Sequence, residues 1–275
     1  MNVRVLLTGA KGFVGARIRE ALPVMEAPSL RNADRVAIRR LLAETRPDVI
    51  VHTAAISDIG ACDAQPEASQ YANVDIPAML AEEAPGAKLI FFSSDQVYGG
   101  CGEIGPYAED TVAPANLYAR EKLEMERRVM EIAPDAVLLR ATWMYDAPLY
   151  DVPNRHNLLS LLLRAAIRRE PMTFSKSEYR GITYVREVAE NIPKLCDLPG
   201  GAYNYGSENT LSMYDTISEI VRRWGLPVEI REDDRSHHNL WMNCGKIERH
   251  CIHFSDTVQG FEHCLRDYDL NILTK

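Results

Sequence analysis

Tyr118 and Lys122, two residues with proton-transfer chemistry, lie four positions apart in a segment whose apolar spacing predicts a helix over 117–132. Residues four apart share one helix face, so the phenol and the ammonium are expected to be neighbours. A nearby ammonium stabilises the phenolate and lowers a phenol pKa of about 10. A tyrosine tuned in this way can pass a proton to or from an alcohol or sugar oxygen near neutral pH. Taken alone the pair is typical of a solvated helix face, but two further motifs add to its weight.

One of these motifs is the sequence FSSDQVYG at 92–99, which ends an apolar run and contains Ser94. Hydroxyl groups at the carboxyl edge of a parallel strand face the ligand crevice of an open α/β sheet. Ser94 could therefore donate a hydrogen bond to a carbonyl oxygen that becomes an alkoxide. The alternative is a serine that only caps a turn, which is common at strand ends.

The other motif is a glycine loop between the first predicted strand and the first predicted helix. Phosphates bind the backbone amides of a helix N-terminus that follows a strand, and glycine allows the tight turn and the close approach of the backbone. This position indicates a dinucleotide site, although a glycine-rich turn without a ligand has the same spacing. The loop comprises Gly9, Ala10, Lys11, Gly12, Phe13, Val14 and Gly15.

The residues after the second predicted strand, near 23–27, leave the choice of dinucleotide open. Glu26 falls at the end of this strand, where a carboxylate accepts hydrogen bonds from the adenosine ribose of NAD. Lys11 and Arg31 are positioned to hold the 2'-phosphate of NADP instead. Glu26 is equally compatible with a solvated surface charge. We therefore expect either NAD(H) or NADP(H).

The elements that must position these motifs alternate between strand and helix. Helical patterns separate short runs that are apolar on both faces, which predicts a parallel sheet covered on both sides and an α/β, doubly wound, Rossmann-type fold. Ligands bind such folds at the carboxyl ends of the strands. The predicted strands lie within 3–9, 49–54, 88–94 and 136–142, and the helices within 14–22, 35–45, 74–84 and 117–132.

The alternation breaks at 146–157, a stretch rich in proline, asparagine and aspartate. We predict a nucleotide-binding domain over 1–150, to which 180–200 returns, and a smaller substrate lobe over 151–275. Helices at 158–169, 186–197 and 212–224 and short strands near 171–174, 202–206 and 227–230 are expected beyond the break.

Length, charge and cysteine content exclude several classes of protein. The 275 residues carry a net charge of -8, so a basic nucleic-acid footprint is absent and an anionic substrate would need local positive charge. No stretch is long and apolar enough to suggest a membrane span, and the first residues do not resemble a secretion signal. The six cysteines lack a C-x-x-C pair, which indicates reduced thiols in a cytoplasm and no metal site.

Taken together, the motifs resemble the extended short-chain dehydrogenase/reductase family. The likeness is greatest to its dTDP-4-dehydrorhamnose reductases and covers nearly the whole chain, most clearly to about residue 160. Two departures stand out: Ser94 replaces a threonine that is usual in the reductases, and 171–184 lacks the expected proline near Ile182. The segments that carry the resemblance are RPDVIVHTAA (46–55), YANVD (71–75), SSDQVYGG (93–100), PANLYAREKLEME (114–126) and LLRATWMY (138–145).

The resemblance implies that Ser94, Tyr118 and Lys122 form the catalytic set. It also places Trp143 in the wall of a sugar pocket, Asn157 at the start of a helix that meets the nucleotide, and Arg235 on the nucleotide. The expected cofactor site comprises Gly9, Lys11, Gly12, Phe13, Val14, Gly15, Glu26, Arg31, Ala54, Ala55, Tyr118 and Lys122. The expected substrate site comprises Ser94, Asp95, Gln96, Trp143, Asn157 and Arg235.

The implied activity is NAD(P)H-dependent reduction of a nucleotide-activated 4-keto sugar. A nucleotide-sugar epimerase is the alternative enzyme, whereas dehydration is disfavoured because Asp95 is followed by Gln96 and not by a second acid. An alternative of another class is a non-catalytic, cofactor-binding regulatory subunit. In this family the helix equivalent to 117–132 often forms a dimer interface, so the resemblance also implies a homodimer.

Overall fold

A six-stranded parallel sheet forms the centre of the protein in a computed structural model that describes residues 3–102, 104–148, 157–233 and 239–270. The strand order is β2-β1-β3-β4-β5-β9, so the chain reverses its direction of winding between β1 and β3. This switch point is where open α/β sheets bind their ligands. The strands are β1 (Val5–Thr8), β2 (Met25–Glu26), β3 (Val49–His52), β4 (Lys88–Ser94), β5 (Val137–Ala141) and β9 (Gly201–Tyr205).

Helices cover both faces of this sheet, because alternate strand residues are apolar on opposite sides. Leu6 and Phe91 belong to one buried cluster, whereas Leu7 and Ile90 belong to the other. This arrangement confirms the predicted doubly wound fold. The covering helices are α1 (Phe13–Ala21), α2 (Arg35–Thr45), α3 (Ile59–Ala64), α4 (Pro66–Gln70), α5 (Ile76–Glu83), α6 (Leu117–Ile132) and α8 (Val185–Asn191).

Two small parallel strand pairs and three amphipathic helices form a separate apolar core around Tyr145, Ile217 and Phe261. We call it the second core, to distinguish it from the two clusters on the central sheet. A short helix, α10 (Gly245–Glu248), packs near β9. The pairs are β6 (Trp143–Tyr145) with β8 (Ile182–Tyr184), and β7 (Met172–Ser175) with β10 (Ile230–Asp233). The three helices are α7 (Leu158–Arg168), α9 (Met213–Trp224) and α11 (Thr257–Asp267).

The part of the chain that returns to the central sheet extends beyond the predicted range 180–200 and includes 201–205. Helix α8 packs against α1, and β9 then pairs with β5 as the last strand of the sheet. The helix predicted over 186–197 ends at Asn191 and continues as a 3-10 turn, because Pro193 cannot donate the next backbone hydrogen bond. The strand expected near 227–230 lies three residues later, at Ile230–Asp233.

Candidate active site

The glycine loop lies at the switch point, between β1 and α1. Gly9 has φ +75°, which favours glycine, and a Cβ there would lie 2.7 Å from Ala54 N and from Thr53 Oγ1. A Cβ on Gly15 would lie 2.2 Å from Gly9 O, so α1 can pack this closely only on glycine. The turn is closed by Gly12 N, which donates to Gly9 O at 2.7 Å. The loop is therefore tightly constrained by contacts within the protein.

The N-terminus of α1 suits a diphosphate. Gly12 is the N-cap and supplies no capping side chain, so no side chain competes for the first-turn amides. Phosphates bind such a helix start through backbone N–H groups and the helix dipole. Phe13 is buried in the core and Val14 is half-buried, so these two positions contribute backbone, whereas the Lys11 side chain is exposed. The loop thus fits the dinucleotide that its sequence predicts.

The residues predicted to select the dinucleotide lie around this loop. Glu26 ends β2 and is in register with Leu7 of β1, and its carboxylate is 3.5 Å from the Arg19 guanidinium. Arg31 is exposed in the connection that follows β2. The carboxylate that would bind a ribose therefore already has a cationic neighbour.

Tyr118 and Lys122 lie in the first turns of α6, and both are buried. The helix is capped by Asn116, whose side chain accepts a hydrogen bond from Ala119 N at 2.8 Å. Lys122 is only 2% exposed, and its Nζ donates to Phe92 O at 2.9 Å. The same Nζ is 5.8 Å from the centre of the Tyr118 ring. The helix face predicted from spacing is thus turned inward, against β4.

Ser94 is the last residue of β4 and is 7% exposed. Its hydroxyl donates to Asp95 Oδ1 at 3.2 Å and accepts from Gln96 N at 3.2 Å. Gln96 Oε1 in turn accepts from Asn116 Nδ2 at 3.3 Å. Helix α6 and its N-cap therefore contact both sides of Ser94: Lys122 bonds Phe92, and Asn116 bonds Gln96. These contacts hold the start of α6, with Tyr118 and Lys122, against the carboxyl end of β4, where Ser94 lies.

Burial lowers the pKa values of two buried basic side chains near this edge, Lys122 and His52. Burial lowers the pKa of Lys122 to about 8, while the carboxylates of Glu126 and Glu121 oppose this shift. Burial, followed by repulsion from the Lys122 ammonium, lowers the pKa of His52 to about 3. His52 Nδ1 lies 2.7 Å from Thr8 Oγ1. At neutral pH the site therefore holds a protonated lysine beside a neutral histidine.

The Lys122 ammonium predicts a pH dependence of stability that a variant can isolate. Between about pH 8, its folded pKa, and pH 10.5 the unfolded chain binds the proton that the folded chain has lost. The Lys122 contribution to stability should therefore rise across this window by up to about 1.4 kcal/mol per pH unit. Buried thiols and phenols such as Cys244, Cys264 and Tyr205, whose pKa values burial raises, contribute in the opposite direction. Denaturant titrations at several pH values check this, because the stability of the wild type relative to Lys122→Met should increase between pH 8 and pH 10.5. Equal pH dependence in the two proteins would contradict it.

Arg180 is a residue that the sequence interpretation missed. It lies just before β8, where its Nη2 donates to Asp95 Oδ2 at 3.0 Å, and its guanidinium carbon is 5.6 Å from the centre of the Trp143 ring. Arg180 Nε is buried without a partner among the described residues. Asp95 and Trp143, both predicted substrate residues, are thus joined by an arginine from the second core. Arg180 follows Glu178-Tyr179 in the stretch that departs from the family, so no motif pointed to it.

The other predicted residues occupy varied positions. Ala54 and Ala55 follow β3 and are half-buried, and Ala54 contacts the glycine loop at Gly9. Asn157 is 1% exposed; its side chain accepts from Ser160 N at 3.0 Å to cap α7 and donates to Asp146 O at 3.2 Å. Arg235 lies outside the described residues.

Other kinds of site find little support in the part of the chain that the structure describes. It contains no group of three or more His, Cys, Asp or Glu side chains arranged to hold a metal ion. None of its helices combines the length and apolar character that crossing a membrane requires. All six cysteines are free thiols.

The topology and the glycine loop define the class of this protein, a doubly wound Rossmann-type fold with a dinucleotide-type glycine loop. The family profile described as "RmlD substrate binding domain" matches residues 3–238. The chain therefore belongs to the RmlD substrate binding domain family. This result confirms the resemblance inferred from the sequence motifs.

The relatives of this chain include proteins named as reductases and proteins named as subunits of another enzyme. The "Methionine adenosyltransferase 2 subunit beta" of Pongo abelii is 36% identical over 251 residues, which cover 82% of this chain and 73% of that protein. The "dTDP-4-dehydrorhamnose reductase" of Burkholderia thailandensis is 28% identical over 241 residues, covering 81% and 78%. A solved dTDP-4-dehydrorhamnose reductase of Bacillus anthracis in complex with NADP has a TM-score of 0.84 at 20% identity and covers 97% of this chain and 99% of that one. The structural likeness supports the fold.

Proposed function

We propose that this protein is an NAD(P)H-dependent reductase of a nucleotide-activated 4-keto sugar. The observation that carries the proposal is the burial of Lys122, whose ammonium donates to Phe92 O and lies beside the Tyr118 ring. Among the described residues Lys122 has no carboxylate at ion-pair distance. A buried ammonium in this situation is costly, and such groups cluster at functional sites. The name of the Burkholderia relative supplies the substrate class.

The residues present are suited to reducing a carbonyl group. When bound on the glycine loop, a reduced nicotinamide cofactor supplies the hydride. Tyr118 donates its proton to the carbonyl oxygen as that oxygen becomes a hydroxyl, and Ser94 donates a hydrogen bond to the same oxygen. Lys122 stabilises the phenolate that remains. Because the Ser94 hydroxyl donates to Asp95 in this structure, it must rotate toward the substrate.

The proposed cofactor is NADP(H) or NAD(H). The relative from Bacillus anthracis was solved with NADP, and Lys11 in the loop and Arg31 after β2 are exposed cations. Glu26 favours NAD, but its ion pair with Arg19 reduces its negative field. Isothermal titration with NADPH and NADH compares the two affinities directly.

The activity is tested by the loss of NADPH or NADH absorbance with dTDP-4-dehydrorhamnose and with 4-keto sugars on other nucleotides. Substrate-dependent oxidation is the expected result. Gly15→Val is the matched control, because its side chain would meet Gly9 O and abolish cofactor binding. Conversion of a nucleotide sugar without net oxidation would indicate the epimerase. Absence of any conversion, with the wild-type chain folded and loaded with cofactor, would contradict both enzymes.

A second candidate is a cofactor-binding accessory subunit without turnover. It is favoured by the 36% identity to a protein named as a subunit of methionine adenosyltransferase 2, and by the Arg180–Asp95 ion pair that occupies the predicted sugar site. Under this alternative the wild-type chain binds NADPH, converts no keto sugar and co-purifies with an enzyme. Light scattering on the purified chain also tests the predicted homodimer. The cytoplasm remains the proposed location.

A further inference from the structure

Glu121 is a buried carboxylate between the two predicted catalytic residues of α6, and its chemistry is not used in the reaction above. It is 2% exposed and has no lysine or arginine at ion-pair distance among the described residues. Its Oε2 accepts from Ser69 Oγ at 2.5 Å and from Asn73 Nδ2 at 2.7 Å, whereas Oε1 is buried with no partner in the described chain. A carboxylate buried in this way costs free energy, so its retention requires an explanation.

Asn73 connects this carboxylate to the segment after β3. Its side chain contacts both backbone polar groups of Ile56: Oδ1 accepts from Ile56 N at 2.9 Å, and Nδ2 donates to Ile56 O at 2.9 Å. Asn73 is fully buried in a π-helical turn, Tyr71–Asp75, and such turns occur frequently at functional sites. Glu121 therefore fixes the amide group that holds Ile56.

Ile56 belongs to the segment that forms one side of the glycine loop. At its start, Thr53 donates to Thr8 O through both its backbone N and its hydroxyl, at 3.2 and 2.8 Å. Ala54 N lies only 2.7 Å from where a Cβ on Gly9 would stand. A shift of Ile56 would move this segment relative to the loop. Contacts from both β1 and α6 thus determine where the segment lies.

We propose that Glu121 is a positioning residue for the cofactor, acting through Asn73 and Ile56 to hold segment 54–56 against the glycine loop. The inference rests on the proposed cofactor binding, but it does not require turnover. It applies equally to a reductase and to an accessory subunit. It also explains why the Glu121 carboxylate, next to Lys122 in the sequence, accepts hydrogen bonds from Ser69 and Asn73.

The test compares Glu121→Leu with Glu121→Gln in the full chain. Glu121→Leu should bind NADPH about tenfold more weakly by isothermal titration, the order expected when hydrogen bonds to a charged group are lost. Glu121→Gln keeps an oxygen acceptor for Ser69 and Asn73, so it should bind within about threefold of the wild type. Asn73→Leu should match Glu121→Leu, and the double variant should lose no more than either alone, because both act through one chain of contacts.

Two controls separate positioning from general destabilisation. Leu42→Ala removes core packing under α2, away from the site, and should lower stability without changing the NADPH affinity. Hydrogen exchange on the cofactor-free protein should show faster exchange of the Ile56 amide in Glu121→Leu, with β4 amides unchanged. If Glu121→Leu binds NADPH as tightly as the wild type, or if its Ile56 amide exchanges at the wild-type rate, the positioning role is overturned and the proposed function is not affected. Failure of the wild-type chain to bind NADPH or NADH overturns the proposed function as well.

Discussion

A Tyr118→Phe variant is expected to lose turnover by about 10²–10⁴-fold while its cofactor affinity remains close to that of the wild type. The substitution removes one hydroxyl and keeps the ring, which is 7% exposed and packs beside Lys122. Without the phenol, the carbonyl oxygen must take its proton from water, which is poorly placed at a buried edge. Initial rates of NADPH oxidation and isothermal titration with NADPH measure the two quantities separately.

Tyr203→Phe is the matched control for this prediction. Its hydroxyl donates to Pro199 O at 2.8 Å, next to the start of β9 and away from the carboxyl edge. It should turn over like the wild type despite losing a hydrogen bond. Near-normal turnover in Tyr118→Phe would remove the proton-transfer role from this residue. A parallel fall in cofactor affinity would instead assign the hydroxyl to cofactor binding.

The strands around the switch point could be predicted because they are buried on both faces and therefore read as continuous apolar runs. The glycine loop could also be predicted, because Gly9 needs a positive φ and Gly15 has no room for a side chain, so glycine is required at both positions. The second core was harder to predict. Strands β6 and β8 are only three residues long, and β10 is half-buried or exposed throughout and begins three residues after the predicted position. Short elements of this kind depend on tertiary packing more than on local pattern.

The same limit applies to the site. Spacing placed Tyr118 and Lys122 on one helix face, but it could not show that this face is buried or that Lys122 reaches Phe92 O. Glu121 could have been noticed, because a carboxylate between the tyrosine and the lysine occupies a position next to that buried face. Arg180 lies 85 positions from Asp95, and only the folded chain brings the two together. Residues paired over such distances leave no periodic signal in one sequence.

A second ion pair, Arg140 with Glu126, lies behind the site and is almost completely buried, with 5% and 6% of the side chains exposed. Arg140 donates to both carboxylate oxygens, at 2.7–3.2 Å, and also to Tyr98 Oη at 2.9 Å. Glu126 Oε1 accepts a further bond from Ser93 Oγ at 2.5 Å. The network joins β5 to α6 and β4, so it supports the strand end that presents Ser94.

Arg140→Met is expected to destabilise the protein by about 3–5 kcal/mol, because it leaves the Glu126 carboxylate buried without its cation. Arg140→Met/Glu126→Leu should recover much of this loss, since a buried ion pair can often be replaced by apolar residues of similar volume. Urea denaturation midpoints, with unchanged slopes, measure both. Arg127→Met on the same helix is the matched control: its pairs with Glu124 and Glu131 are exposed, and its loss should have no measurable effect. If the double variant were less stable than Arg140→Met, Glu126 would be stabilising in its own right, through Ser93, and the cost would not lie in the unpaired charge.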